Sequence, residues 1–386
     1  MSPISVRAEG FAYGGEAFGR LPDGRICFFR GGVPGETAEL ELICSKRSFA
    51  RGVLRKLSVA SPERVAPVCP LAVRPGGGMF CPGCSYQQVD YSVELCWKQR
   101  QLSDLLLRKK LADASALASP VPSPSRFGWR NRLKLSRVGG VLGFFAEDNV
   151  SIIPVAHCPL AVPPINAAIP ECGGVPGDEV FLRWTENDGV AINGGERELT
   201  ESLEEFGTFR VAASSFFQTN PHVAVRLIRG AVGILESVGA RHLFELYCGV
   251  GVFSLAAAQM LPHLHTTGVE LDARAIGCAR RNAGARKTAD RCGFCVGNAE
   301  KWRRMPGGET PDAVLVDPPR RGLSERLISV LKSWRIPHVI YVSCAPDTLA
   351  RDIERLSDVY RVAACRLYDM FPCTAHFETL ALLDLK

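Results

Sequence analysis

From about residue 211 the chain alternates between apolar runs of strand length and longer runs with helical spacing, and this alternation limits the architecture more than any other feature. Strand candidates fall at 242–247, 266–271, 291–296, 312–316 and 338–343. Helical stretches at 253–260, 273–284, 324–334 and 347–356 separate them, and Pro221 to Val238 reads as a helix ahead of the first. Neighbouring parallel strands need a crossover, usually a helix, so the pattern predicts a parallel sheet with both faces covered. Two late candidates, 360–368 and 378–385, have no helix between them and are expected to end the sheet as an antiparallel hairpin.

The rest of the chain has a different texture. Residues 1–65 read as short strands between Gly14-Gly15, Asp23-Gly24, Gly31-Gly32 and Pro34-Gly35, a spacing that suggests a small barrel. Ser61-Pro62 to Pro67 reads as a linker. Residues 66–210 are mixed, with helical spacing over Tyr91 to Leu111, a break at Pro120, Pro122 and Pro124, and alternation from Trp129 to Val138. The expected division is therefore 1–65, 66–210 and 211–386, and 386 residues suffice for two or three domains.

Composition removes several classes of function. Charged residues make up 22 % and apolar types 46 %, which excludes wholesale disorder. No apolar run reaches the roughly 18–20 residues needed to span a bilayer, and Met1 to Gly15 lacks a basic segment followed by an apolar one. A cytoplasmic protein without membrane contact is expected. The net charge of +6 permits a nucleic-acid partner without requiring one. Fifteen cysteines are too few for a disulfide scaffold of this length and are read as ligands, nucleophiles or core residues.

Five motifs carry chemistry. Glu245-Leu246-Tyr247-Cys248-Gly249-Val250-Gly251 runs from a strand into a glycine turn at a helix start, where backbone N–H groups are free. A plain tight turn reads the same way, but Glu270 closes the next strand, where a carboxylate commonly meets ribose hydroxyls. Together they suggest a nucleoside-type cofactor. Asp317-Pro318-Pro319-Arg320-Arg321-Gly322 makes a stiff loop at the C-terminal edge of a strand, where open α/β sheets bind ligands. Its alternative is a rigid surface turn. Ser343-Cys344-Ala345-Pro346 places a cysteine between a strand end and a helix start, where a helix dipole favours the thiolate. The competing reading is a small buried side chain.

Cys69, Cys81, Cys84 and Cys158 form the fourth motif, with Cys81-Pro82-Gly83-Cys84 in a turn-forming setting. Four thiolates suit zinc or an iron–sulfur cluster, and spacing does not choose between them. A second CxxC, Cys292 to Cys295, lies inside a strand candidate and is read as core. Arg130, Arg132 and Lys134 alternate with apolar neighbours, which puts three cations on one strand face. They serve either as phosphate contacts or as a solvated face.

In this order the motifs resemble those of the RNA 5-methyluridine (uracil-5) methyltransferases acting on tRNA or 23S rRNA. Residues 1–65, with Gly35-Glu36 and the exit Ser61-Pro62-Glu63-Arg64-Val65, look like the RNA-binding TRAM barrel. Ser215 to Asn220, Leu246 to Gly251, Asp317 to Gly322, Val342-Ser343-Cys344 and Asp369-Met370-Phe371-Pro372 to Glu378 are similar to segments of the family's catalytic domain. The resemblance implies an α/β class I methyltransferase (Rossmann-like) domain, an N-terminal OB-like β-barrel and a central mixed α+β iron–sulfur domain. It implies Cys344 as nucleophile and Glu378 as base, with Gln218, Tyr247, Gly249, Gly251, Glu270 and Asp317 at S-adenosylmethionine. It implies Cys69, Cys81, Cys84 and Cys158 as ligands of a [4Fe-4S] cluster, and the basic stripe of Arg130, Arg132 and Lys134 is expected to contact the RNA. The expected partner is RNA, 23S rRNA ahead of tRNA, and a monomer is assumed. The sequence departs from the family in the long Cys69–Cys81 spacing, with 72–78 as an apparent insertion, and in Glu245, Val252, Cys373 and Phe377.

These residue types suit the chemistry. Carbon 5 of uracil is a poor nucleophile until a thiolate adds to carbon 6 and makes the ring an enolate. After methyl transfer a carboxylate must take the carbon 5 proton before the thiol is eliminated. The alternatives are an RNA-binding protein that has lost activity and a methyltransferase for another base. The presence of both Cys344 and Glu378 argues against the first. Arg320, where adenine and glutamine methyltransferases place an aromatic residue, argues against the second.

Overall fold

The structure is a computed structural model and describes residues 3–195, 197–302 and 310–386. It divides into two compact units: Met1–Gln101 with Ser125–Phe181 and Phe371–His376, and Leu102–Pro124 with Leu182–Met370 and Phe377–Lys386.

The first unit opens with a closed barrel, as the punctuated N-terminus predicts. Strands β1 (Ile4–Phe11), β2 (Ala17–Arg20), β3 (Ile26–Phe29), β4 (Thr37–Ser45) and β5 (Phe49–Val59) close in the order β1-β2-β3-β5-β4. Alternation along each strand sends Val6, Ala17, Cys27, Phe29, Leu40 and Leu54 into the barrel core. Two segments that carry the barrel resemblance close on each other. The fully buried Glu36 carboxylate accepts from Val33 N (2.8 Å), Ser61 N (3.3 Å) and the Arg64 guanidinium (2.7 Å to Oε2). Helix α1 (Tyr91–Arg108) covers this end, with Trp97 edge-on to Phe11 at 5.7 Å. A meander of β6 (Arg132–Val138), β7 (Val141–Phe145) and β8 (Ile152–Pro154) follows, then helix α2 (Pro163–Ala168).

Strands β9 (Glu179–Thr185) and β10 (Gly189–Ile192) pair as a hairpin, as do β11 (Glu198–Ser202) and β12 (Thr208–Ala212). The remainder of the second unit is the predicted alternation. In chain order it comprises α3 (Pro221–Ser237), β13 (His242–Leu246), α4 (Val252–Met260), β14 (His265–Glu270), α5 (Ala273–Ala285), β15 (Cys292–Val296) and β16 (Ala313–Val316). Then come α6 (Glu325–Trp334), β17 (His338–Ser343), α7 (Pro346–Leu356), β18 (Tyr360–Tyr368) and β19 (Glu378–Leu385). The sheet order is β15-β14-β13-β16-β17-β19-β18, parallel through β17 and antiparallel for β19 against both its neighbours. The late hairpin exists, but its second strand lies inside the sheet and its first forms the edge. Burial explains the order: Glu378 to Leu383 are all buried, while β18 alternates between buried and more exposed positions. No helix among the described residues is long and apolar enough to cross a membrane.

Candidate active site

The loop after β13 is built for close approach of a ligand. Tyr247 takes φ +64°, Gly249 φ +53° and Gly251 φ +80°. A Cβ at Gly251 would lie 2.6 Å from the Phe294 ring, so only glycine fits there, whereas the space at Gly249 is open. The Gly249 N–H donates to Glu270 Oε2 (3.1 Å), and Glu270 Oε1 accepts from Leu271 N and Asp272 N. The loop opens into a pocket whose lining includes Phe217, Gln218, Glu245, Tyr247, Gly249 and Asp317. Four of the six residues expected at the cofactor therefore share one pocket. Gly251 instead shapes the turn, and Glu270 clasps the loop backbone; neither is among the lining residues.

Gln218 is delivered by a segment tied at both ends. Ser215 Oγ donates to Asp272 Oδ2 (2.8 Å), and Asn220 caps α3 while its amide donates to Met370 O (3.2 Å). Tyr247 OH donates to Glu300. Glu245 is a residue the sequence reading noted only as a departure. One of its oxygens accepts from Ser254 N and Oγ, while the other is buried without a hydrogen-bond partner among the described residues. Burial, opposed by the Ser254 bonds and aided by the negative charges of Asp317 and Glu270, pushes its carboxyl up to about 8.

The sheet order assembles the second part of the site. Ser343, the last residue of β17, pairs with Thr379 of β19, so Cys344 and Glu378 face each other one step beyond that pair. Asp317, at the end of the adjacent β16, completes the group. Burial first, then Glu378 and Asp317, pushes the Cys344 thiol up to about 12, with Arg320 pulling the other way. This corrects the expectation that a helix start would favour the thiolate: burial and two acidic neighbours outweigh the dipole. Burial raises Asp317 to about 7, and burial with Asp317 holds Glu378 well above the usual carboxylate range. Arg320, which the sequence reading used only to argue against another base, is a site residue whose charge acts on both Cys344 and Glu378. Thr348 Oγ1 and the Arg351 guanidinium of α7 hold its loop by the carbonyls of Arg320 and Arg321 (3.1 and 2.7 Å).

In the first unit the cysteine quartet converges despite the long spacing. Cys81 N donates to Leu71 O (2.8 Å) and Ala72 N to Cys69 O (3.2 Å), so the inserted residues loop out and the cysteines flanking them return to one place. Burial raises the thiols of Cys69, Cys81 and Cys84, and Cys158 adds to the rise in each. Among the described residues no group of three or more His, Cys, Asp or Glu is arranged to hold a metal ion. Cys292 is buried and Cys295 half-buried within β15, in keeping with a core reading. Arg132 and Lys134 keep the predicted alternation along β6. Lys134 pairs with Glu179, and Arg130 Nε donates to Arg132 O (2.9 Å), beside Cys81.

Comparison with known proteins follows the same division. The tRNA (uracil-5-)-methyltransferase family model matches residues 198–386, and the TRAM domain model matches 3–54. An uncharacterized RNA methyltransferase of Halalkalibacterium halodurans is 28 % identical over 99 % of this chain and 97 % of its own length. The 23S rRNA (uracil(1939)-C(5))-methyltransferase of Acidithiobacillus ferrooxidans is 28 % identical over 99 % and 97 %. The 23S rRNA (uracil(747)-C(5))-methyltransferase of Shewanella amazonensis is 29 % identical over 79 % and 95 %. The Pyrococcus abyssi tRNA (uracil-54, C5)-methyltransferase, solved with S-adenosyl-L-homocysteine, superposes with TM-score 0.74 at 25 % identity, covering 98 % of this chain and 99 % of that one. With a methyltransferase fold, a pocket beside its glycine loop and an N-terminal TRAM barrel, the chain is similar along its whole length to S-adenosylmethionine-dependent RNA (uracil-5-)-methyltransferases.

Proposed function

We propose that the enzyme methylates carbon 5 of a specific uridine in structured RNA, 23S rRNA in preference to tRNA, through a covalent adduct on Cys344. The observation that carries this reading is the grouping of Cys344, Glu378, Asp317 and Arg320 at the end of β17, with Asp317 also lining the glycine-loop pocket. The sulfonium co-substrate supplies an electrophilic methyl group. Gln218, Tyr247 and Gly249 would hold it, and its positive charge would favour ionisation of the buried carboxyls of Glu245 and Asp317 that line the same pocket. Cys344 gives up its proton to Asp317, which leaves the Glu378 carboxylate free for the later step, and its sulfur bonds to carbon 6. The ring electrons then bond carbon 5 to the methyl carbon as its bond to the sulfonium sulfur breaks, and the co-substrate departs as the neutral thioether. The Glu378 carboxylate removes the carbon 5 proton, the double bond re-forms and the sulfur leaves as the thiolate. Arg320 supplies the positive charge that opposes permanent neutralisation of this group.

Two of the named relatives act on 23S rRNA, which supports the preference for rRNA. The target uridine is unstacked into the site at a cost of about a few kcal/mol, offset by contacts elsewhere. The three segments divide that work: 1–65 and the Arg130, Arg132, Lys134 stripe on RNA, 66–210 as an iron–sulfur module, and 211–386 for the reaction. Cys69, Cys81, Cys84 and Cys158 would hold a [4Fe-4S] cluster, a structural brace for the loop between them. The nearness of Cys158 to each of the other three thiols is what supports this reading.

The test is transfer of labelled methyl from S-adenosylmethionine to tRNA and 23S rRNA purified from a strain lacking this gene, followed by digestion to nucleosides. Label in 5-methyluridine from 23S rRNA is expected. Label from tRNA alone would move the substrate, and label in another nucleoside would overturn the reaction.

A further inference from the structure

The outer wall of the barrel carries an aromatic surface that the methyl-transfer chemistry does not use. Ala17, Gly19, Cys27, Phe29, Ala50 and Gly52 face inward and are buried. Alternation therefore puts Phe18, Phe28 and Phe49 on the outside, where each stays partly exposed. Register aligns them across three strands: Phe18 is opposite Phe28, Phe28 opposite Arg51, and Phe49 opposite Ile26. The ring centroids of Phe28 lie 6.5 Å from those of Phe18 and 6.2 Å from those of Phe49, and the Arg51 guanidinium stands 5.7 Å from the Phe28 ring. Such rings add little to a core already filled from inside. At the adjoining hairpin tip Lys46 and Arg47 are exposed, and the described residues offer neither an acidic partner.

We propose that this face is a base-stacking platform for an unpaired segment of RNA, with bases on Phe28 and Phe49 and phosphates at Lys46 and Arg47. The inference deepens the RNA reading above by naming where unpaired nucleotides sit. Planar rings at strand spacing suit stacked bases of any sequence, and the cations beside them suit a phosphate backbone. Charge complementarity favours RNA over an apolar protein partner. Residues 3–65 hold ten Lys and Arg against seven Asp and Glu, and the unpaired cations lie next to the rings rather than away from them.

The experiment uses the full chain and a short fluorescein-labelled oligoadenylate. Phe28→Leu and Phe49→Leu should each weaken binding about tenfold, the scale of one stacked base, without changing the slope of affinity against salt. Phe28→Tyr, which keeps the ring, should bind as the unaltered protein does. Lys46→Gln with Arg47→Gln should instead flatten the salt slope by about one unit per charge. Unchanged S-adenosylmethionine binding in every variant shows that folding is intact. Wild-type oligonucleotide affinity in both leucine variants would overturn the platform, including in favour of a protein seat. The two readings fail differently. Methylation of RNA with an unaltered KM in the leucine variants refutes the platform alone. Ring-dependent oligonucleotide binding with no methyl reaching any RNA refutes the reaction alone.

Discussion

Glu36 in the barrel and Glu378 at the head of β19 are both almost wholly out of water, at 0 % and 6 % exposure, yet their surroundings are opposite. Glu36 is met by two backbone N–H groups and the Arg64 guanidinium, so its charge is fully answered. Glu378 has one oxygen without a hydrogen-bond partner among the described residues, a like charge at Asp317 and only the field of Arg320 in its favour. A buried carboxylate that is answered holds structure together. One that is left unanswered is costly to keep and is free to exchange a proton. The same contrast separates the barrel from the catalytic sheet and predicts which substitutions act on folding and which on turnover.

The largest effect is expected at the thiol. Cys344→Ala should abolish methyl transfer while leaving S-adenosylmethionine affinity nearly unchanged, because Cys344 is not among the residues lining the cofactor pocket. Isothermal titration with cofactor, beside a methyl-transfer assay, separates the two. Substantial residual 5-methyluridine would remove Cys344 from the mechanism.

Glu378→Gln comes next. It should still add to RNA and transfer methyl, but slow product release by about 10²–10⁴, the usual worth of a positioned general base. The sign is a covalent RNA–protein band on a denaturing gel that carries the labelled methyl group. If RNA binds and no such band forms with Cys344 intact, Glu378 is not the base. In the unaltered enzyme, turnover should rise with pH through the region near 7 as Asp317, raised to about 7 by burial, ionises. A flat profile across that region would contradict its place beside the reaction.

Glu36→Ala should act on stability instead. It leaves the Arg64 guanidinium, itself 17 % exposed, without its counter-charge, and breaking a buried pair of this kind costs about 3–5 kcal/mol. Denaturant unfolding monitored in the barrel should show the loss, while the variant that remains folded should bind cofactor normally. A neutral substitution would mean that the answered carboxylate is not what closes the barrel.

Much of this architecture was legible from residue spacing. The β/α alternation after residue 211 has a long period and a strong apolar contrast, so the elements emerge within a residue or two of their positions. The glycine loop was legible for the same local reason. What escaped depended on contacts distant in sequence. Nothing near 378–385 says that this strand lies between β17 and β18, yet that insertion is what sets Glu378 opposite Cys344. The thiol's upward shift, the part played by Arg320 and the return of Cys81 to Leu71 across the insertion have the same origin. Glu245 was visible as an unusual residue, but its unanswered oxygen belongs to the folded pocket.

Glu245 sharpens the comparison with Glu36 at the smallest scale. Its carboxyl titrates at about 8 in the folded protein against 4.5 for an unperturbed side chain. Between those values the unfolded chain is ionised while the folded one retains its proton, so the native state binds more protons and stability falls as pH rises. The contribution is fully present below about 4.5 and lost by about 8, a change on the order of a few kcal/mol at 1.36 kcal/mol per unit. Asp317 and Glu378, also raised, add to the slope in the same direction. Glu245→Gln keeps an oxygen for the Ser254 donors and removes the titration. Its cofactor-free stability should therefore drop less between pH 5.5 and 8.5 than that of the unaltered enzyme. Because the co-substrate is a cation, its binding should favour the ionised form of Glu245 and shrink the same slope in the unaltered enzyme. Parallel pH profiles for the two proteins, with and without cofactor, would show that Glu245 ionises in the folded protein as it does in the unfolded chain, so that burial does not hold its unanswered oxygen neutral.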